Sequence, residues 1–502
     1  MWEWLFYREN EPLIFSTALF WVFFGIVLFG YQFIYQNNRL RSLYLMAVSM
    51  YFYYLSGGYF FTLLILSTLI DYHIGKKIYE SESQKVKKYL VTTSVVVNLA
   101  ILGYFKYTYF LVDIINQLAG TELQATNLLA VVTNQLIGTS FDVNNIILPV
   151  GISFYTFQTI SYSIDIYRGK LKPVNDIWDF AFFVSFFPQL VAGPIVRASD
   201  FVPQIYQPYC LSKEEFGHAV FLIINGLIKK IFISDYISIN YVDRVFESPL
   251  TYSGFENLMA VYGYSIQIYC DFSGYSDVAI GLALLLGFRL PLNFNSPYKA
   301  QNITDFWRRW HISLSSWLRD YLYISLGGNR KGKVRTYINL LLTMLLGGLW
   351  HGAHVRFIIW GALHGIALAV HKMWMEFFPT SKAEGKPNTA LGSGLLTFHF
   401  VAFCWIFFRA TDMQAVGDML SQIAFNFQPE IAAAALHAYY KPFLLIALGF
   451  VAHWLPSSFK TWLAVQFTAL PDVTKAIIIA FVALILFQMK TAAVQPFIYF
   501  QF

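Results

Sequence analysis

The chain has 502 residues, 57% of them hydrophobic and only 13% charged, with a formal net charge of +6 and a mean hydropathy of +0.51. A soluble domain carries roughly 25% charged residues, so this balance excludes a string of water-soluble domains and implies one polytopic membrane bundle. The positive surplus needs no nucleic acid to explain it, because basic cytoplasmic loops supply it.

In chain order, Glu3, Glu9 and Glu11 outweigh Arg8 ahead of the first apolar run. That is not the basic start of a cleavable signal, and the run is long for one, so it is expected to stay as the first span. Apolar stretches then follow near 13–35, 43–56, 59–75, 89–111, 146–166, 178–195, 217–236, 257–289, 336–350, 356–378, 393–409, 442–456 and 474–489. Several fall short of the roughly 20 residues a full span requires. About ten to twelve true crossings are therefore expected, with half-helices and re-entrant pieces supplying the rest. Arg39 and Arg41, then Lys76, Lys77, Lys85, Lys87 and Lys88, then Arg168, Lys170 and Lys172 mark cytoplasmic loops. No Lys or Arg lies between Lys106 and Arg168, which places 112–145 and the N-terminus outside. Cys210, Cys270 and Cys404 are odd in number and far apart; they give neither a disulfide framework nor a zinc spacing and read as packed free thiols. Residues 379–392 read as a flexible loop, and no repeat or folded extramembrane domain is evident.

The chemistry is expected in 263–365, where polar groups crowd into sequence that lipid would reject. Asp271 and Asp277 read as helix caps or as partners of buried arginine, and Gly274 and Gly281 permit close helix approach. The run 304–323 reads as one helix capped by Asn302 or Thr304, with Phe306, Trp310, Leu314, Trp317 and Tyr321 on one face. Trp307, His311, Ser315 and Leu318 share a second face. Arg308, Arg309, Arg319 and Asp320 exclude this helix from lipid, so it is expected in the interface or dipping inward. His311 is either a hydrogen-bonded packing residue or a functional one. The turn Gly327-Gly328-Asn329-Arg330 suits docking of an anionic acyl carrier or nucleotide-like cofactor, or is ordinary positive-inside charge.

Then comes Trp350-His351-Gly352, with an imidazole in hydrocarbon. Burial favours the neutral ring, and a neutral imidazole is the usual general base. Gly347, Gly348 and Gly352 leave room for a substrate or a neighbouring backbone to approach it. His351 and His354 are three apart but have no acidic third ligand, so no metal is expected. The sequence has no serine-hydrolase elbow, HExxH helix or phosphate-binding glycine loop.

Several linked segments in order resemble the membrane-bound O-acyltransferase (MBOAT) family, in its bacterial branch typified by alginate O-acetylation: "LPVGISFYTFQTISYSIDIYRG", "FFPQLVAGPIVR", "YCDFSGYSDVAIG", "NFNSPY", "FWRRWHISLSSWLRDYLYISLGGNR", "GGLWHGA" and the terminal "PFIYFQF". The resemblance covers most of the chain and implies one all-α transmembrane domain over 1–502, with a catalytic core near 263–365. It implies that His351 is the catalytic histidine, that His311 supports it, and that a tunnel lets donor and acceptor approach from opposite sides. Trp350, Asn293, Asn295, Tyr298, Trp307 and Arg330 are the expected substrate-binding residues. His354 departs from the family pattern, where a small or polar residue is expected.

The implied function is acyl transfer, with acetyl the expected group, from acetyl-CoA or another acyl thioester to an extracytoplasmic glycan. No bound cofactor is expected. The implied setting is the plasma (inner) membrane, beside a secreted or anchored SGNH-type partner. D-alanylation of teichoic acid from a carrier protein is the alternative within acyl transfer. A transporter or flippase would show repeat symmetry and paired broken helices, which the sequence lacks. A non-catalytic scaffold would carry the histidines as relics.

Overall fold

A computed structural model describes residues 5–8, 11–191, 193–378, 387–489 and 497. Among them the regular structure is helical throughout, with no strand. The first half holds α1 (Ala18–Tyr31), α2 (Asn38–Gly57), α3 (Phe61–Glu80), the long α4 (Gln84–Ala119), α5 (Leu128–Ile137), α6 (Ile152–Tyr167), α7 (Ile177–Ser185), α8 (Phe187–Leu190), α9 (Ala198–Ile205) and α10 (Lys213–Leu227). The second half continues with α11 (Asp243–Glu247), α12 (Gly254–Leu285), α13 (Ile303–Arg309), α14 (Ile312–Trp317), α15 (Lys333–His351) and α16 (Val355–Phe377). It closes with α17 (Pro387–Arg409), α18 (Met413–Phe425), α19 (Ala432–Ala438), α20 (Tyr440–Trp454), α21 (Ser457–Ala469) and α22 (Asp472–Met489). Each apolar stretch expected from the sequence coincides with one or more of these helices.

Five helical runs among the described residues are long and apolar enough to cross a membrane, or up to seven if each of two sharply bent pairs counts as one span. The chain is a multi-pass membrane protein. That test returns fewer spans than the ten to twelve expected, because several apolar stretches form helices shorter than 18 residues, such as α1 with 14 and α6 with 16, and because α12 is long enough but too polar. The central α12 is 32 residues long and buried over most of its course, yet it carries Glu256, Asp271 and Asp277. The expected outside loop at 112–145 holds the end of α4 and the short α5. The expected loop at 379–392 lies outside the described residues up to 386, and from Pro387 it belongs to α17.

Local chemistry explains where the helices start. Ser212 and Glu215 form a reciprocal capping box on α10, and Ser253 and Glu256 do the same for α12, each bringing two backbone donors a partner. Packing explains how closely the helices approach. A Cβ at Gly274 would lie 2.6 Å from the Gly226 carbonyl oxygen, and one at Gly281 would lie 2.7 Å from that of Ala219. The two glycines thus seat α12 directly on α10, as the sequence implied.

Asp271 and Asp277 depart from expectation. Both sit inside α12 and cap nothing. Their partners are lysines rather than arginine: Lys230 Nζ lies 2.5 Å from Asp271 and Lys229 Nζ lies 2.7 Å from Asp277. The reason lies in the stretch after α10, where Ile228–Asp235 winds as a π-helix. Its wider turn brings two consecutive lysines onto α12, and Asp235 completes the group at 2.8 Å from Lys230. A second buried polar group joins α3, α4 and α6, where Asp71 accepts from Ser94 (2.6 Å) and Asn98 (2.8 Å). Of the three free thiols, Cys270 and Cys404 are buried as expected, whereas Cys210 is exposed.

Candidate active site

The segment expected as one helix over 304–323 is broken. α13 begins as expected, with the Asn302 side chain accepting from Asp305 N–H, but it ends at Arg309, and His311 adopts a left-handed backbone (φ 43°) before α14 starts. The run continues as a π-helix over Leu318–Tyr323. The two-face reading therefore fails, because His311 projects from a kink instead of from a continuous helical stripe. Polar contacts hold the ends: Arg309 pairs with Asp305 at 2.8 Å, and Asp320 takes Arg197 at 2.7 Å and Arg319 at 2.6 Å.

Asn293 holds the kink in place. Its backbone carbonyl accepts from Ile312 N–H at 2.9 Å. Its side-chain oxygen accepts from Ser313 N–H at 3.2 Å and Ser313 Oγ at 2.9 Å, and lies 3.1 Å from His311 Nδ1. The Ser313 N–H can only donate, so it fixes which end of the Asn293 amide is oxygen. His311 must then carry its proton on Nδ1, and in the neutral ring Nε2 is a lone-pair acceptor. The ring is fully buried, edge-on to Phe272 at 4.5 Å between centroids and 6.4 Å from Trp350.

His351 is the last residue of α15 and is 3% exposed. Its ring is surrounded by Trp350 at 4.9 Å, Trp360 at 5.1 Å and Phe408 at 5.2 Å. Both histidine rings thus lie against the Trp350 indole. The helix end is fastened from α4: Lys106 Nζ donates to the carbonyls of Trp350 (2.6 Å) and His351 (3.0 Å), and Tyr107 Oη donates to that of Leu349 (2.8 Å). Donors on the last carbonyls of a helix satisfy acceptors that have no partner within it. Lys106 and Trp350 also line a cavity of about 80 Å³ beside the start of α6.

The glycines around the motif act by contact. A Cβ at Gly348 would overlap the Phe357 carbonyl, one at Gly361 the Met344 carbonyl, and one at Gly352 the Phe357 ring. The backbones of α15 and α16 therefore cross at van der Waals distance. His354, whose role the sequence left open, caps α16 by accepting from Arg356 N–H at 3.3 Å. Among the described residues no three His, Cys, Asp or Glu side chains form a metal-binding group.

The other expected residues are placed variously. Trp307 is buried, and its indole N–H donates to Nδ1 of His364, fully buried on α16, at 3.3 Å. Tyr298 is a brace: its hydroxyl donates to the Ser265 carbonyl (2.6 Å) and accepts from the Trp405 indole (3.2 Å). Asn295 is exposed, with its backbone N–H bonded to the Arg309 carbonyl. Arg330 is exposed on its basic turn, where neighbouring Lys333 is paired with Glu376 at 2.9 Å and is held above its ordinary pKa by that hydrogen bond.

Sequence reasoning missed Lys106, His364 and Arg356, which donates to the carbonyls of Phe407 and Phe408. An ionisable residue inside an apolar run was the available signal for each.

The sequence model of a family described as MBOAT, membrane-bound O-acyltransferase family, matches residues 59–410. The probable alginate O-acetylase AlgI of Pseudomonas syringae pv. tomato is 42% identical over 412 residues, covering 81% of this chain and 74% of that protein. The peptidoglycan O-acetyltransferase of Helicobacter pylori is 37% identical over 438 residues, 81% of this chain and 79% of that protein. The teichoic acid D-alanyltransferase of Bacillus subtilis is 30% identical over 274 residues, 52% of this chain and 68% of that protein.

Proposed function

Because the chain belongs to the membrane-bound O-acyltransferase family and is an O-acyltransferase, we propose that it moves an acetyl group from a cytoplasmic thioester to an extracytoplasmic glycan acceptor, acting in the plasma (inner) membrane beside an SGNH-type partner. The observation that carries the reading is the pair of buried histidines against one indole, with His311 locked by Asn293 and His351 fastened at the end of α15. Acetyl transfer is favoured over D-alanyl transfer because the relatives named for O-acetylation match across more of the chain and at higher identity.

In this reading the acceptor hydroxyl attacks the thioester carbonyl carbon. His351 takes the hydroxyl proton as the new C–O bond forms, and returns it to the sulfur when the C–S bond breaks. His311, an acceptor at Nε2, orients the attacking hydroxyl. The same geometry serves a protein hydroxyl that relays the group to the glycan. Trp350 and Trp307 wall the path. Arg330 and its neighbours attract the phosphates of acetyl-CoA at the cytoplasmic face, at ~1 kcal/mol per cation near a surface.

The test uses the purified protein in proteoliposomes, with labelled acetyl-CoA on one side and a hydroxyl acceptor on the other. Label should reach the acceptor only when the donor is on the face bearing Arg330. Neutralising Arg330, Lys331, Lys333 and Arg335 together should raise the apparent KM for acetyl-CoA and flatten its salt dependence, leaving acceptor dependence unchanged. Transfer from a carrier-bound D-alanyl thioester but not from acetyl-CoA would replace the proposal with the alternative.

A further inference from the structure

Polar hydrogens sealed away from water are paired in nearly every folded protein, so a buried donor without an acceptor marks a place where something else supplies one. Two such donors lie near His351, one in ring contact with it and the other in contact with the first. Trp360 and His364 lie one helical turn apart on α16 and are 1% and 0% exposed. Neither Trp360 Nε1 nor His364 Nε2 has a hydrogen-bond partner among the described residues.

Tautomer chemistry sharpens the second case. The Trp307 indole can only donate, and it donates to His364 Nδ1 at 3.3 Å. A neutral His364 therefore carries its hydrogen on Nε2, the atom left without a partner. It is a donor held ready, not a lone pair. His311, fixed through its own Nδ1–H by Asn293, is the opposite tautomer. The two histidines are thus set for opposite roles.

Position ties these donors to the reaction. The Trp360 ring contacts both imidazoles, 5.1 Å from His351 and 4.8 Å from His364 between centroids. The step proposed above develops negative charge on one atom: as the hydroxyl oxygen bonds to the carbonyl carbon, the C=O π pair moves onto the carbonyl oxygen. The His351 imidazolium formed at that moment neutralises the charge only from the base side. Neutral N–H donors in a dry site suit the oxygen itself, because they stabilise it without adding a second fixed cation beside the imidazolium.

We propose that Trp360 Nε1–H and His364 Nε2–H bind the carbonyl oxygen of the acyl thioester and stabilise it as it becomes an oxyanion. Trp307 is then a positioning residue that sets the His364 tautomer. This rests on the thioester reading above, so the wild-type protein must first be shown to transfer acetyl from acetyl-CoA. Failure there rejects that reading, whereas the variants below reject only this one.

Trp360→Phe and His364→Phe keep a ring and remove the hydrogen. In proteoliposomes each should lower kcat by about 100- to 1000-fold, the usual effect of removing one oxyanion donor. The KM for acetyl-CoA should stay nearly constant, since the bond strengthens mainly in the transition state. His364→Gln, which restores a donor, should recover at least about tenfold over His364→Phe. Trp307→Phe should reproduce part of the His364 defect, because His364 Nδ1 loses the donor that holds its hydrogen on Nε2. A purely structural role would lower the amount of folded protein in the membrane and spare kcat per folded molecule. Either that result, or kcat within about twofold of wild type for both Phe variants, overturns the proposal.

Discussion

His351→Ala should abolish acyl transfer while leaving the protein folded in the membrane, and His351→Gln should do no better. The ring is enclosed by Trp350, Trp360 and Phe408, so water cannot take its place as base without opening the site. Glutamine keeps most of the volume and can hydrogen-bond, but an amide does not accept a proton near neutral pH. It therefore separates proton transfer from packing. Positioned acid–base catalysis contributes roughly 100- to 10,000-fold, and both variants should lose at least that. The measurement is acetyl content of the cell-surface glycan by mass spectrometry, alongside the level of the protein in isolated membranes. Near-normal acetylation by His351→Gln would remove His351 from the role of base.

The second large effect is expected at His311, with a different signature. Position 311 has φ 43°, a conformation that asparagine tolerates better than most residues. His311→Asn can thus keep the kink between α13 and α14 while losing the ring. Transfer should fall by about 100-fold or more without vanishing, because in the proposed mechanism His351 still takes the proton. Asn293→Ala should produce a similar fall by freeing His311 to turn. It also leaves the Ser313 N–H without its acceptor, so a loss of stability of about 1–3 kcal/mol is expected as well. Full activity in His311→Asn would make the ring a packing element only.

The spans were legible because hydropathy averaged over about 20 residues survives any detail of packing. The break at Trp310–His311 was not. Phe306, Trp310, Leu314, Trp317 and Tyr321 keep helical spacing across it, and what overrides that spacing is Asn293, which bonds Ile312 and Ser313 from outside the segment. Lys106 was legible only as a topology marker, since its partners lie 244 and 245 residues away in sequence. Asp271 and Asp277 were legible as buried carboxylates needing cations. Their choice of Lys230 and Lys229 depended on a π-helical turn that no periodicity announced. The WHG segment was legible because a histidine among close-packed glycines is rare in hydrocarbon.

The crossing of α15 and α16 bears on the membrane as an electrical insulator. The bilayer around an acyltransferase stores an ion gradient, and a site that took its donor from one face and its acceptor from the other, as proposed, would be a potential short circuit. At Gly348 and Gly361 the two backbones touch, so no file of water threads between these helices past His351. In the proposed reaction the proton that His351 takes up leaves with the departing thiol, and the crossing of α15 and α16 gives it no path between these two helices. Widening the crossing with Gly361→Leu should therefore make proteoliposomes measurably leaky to protons, even with neither substrate present.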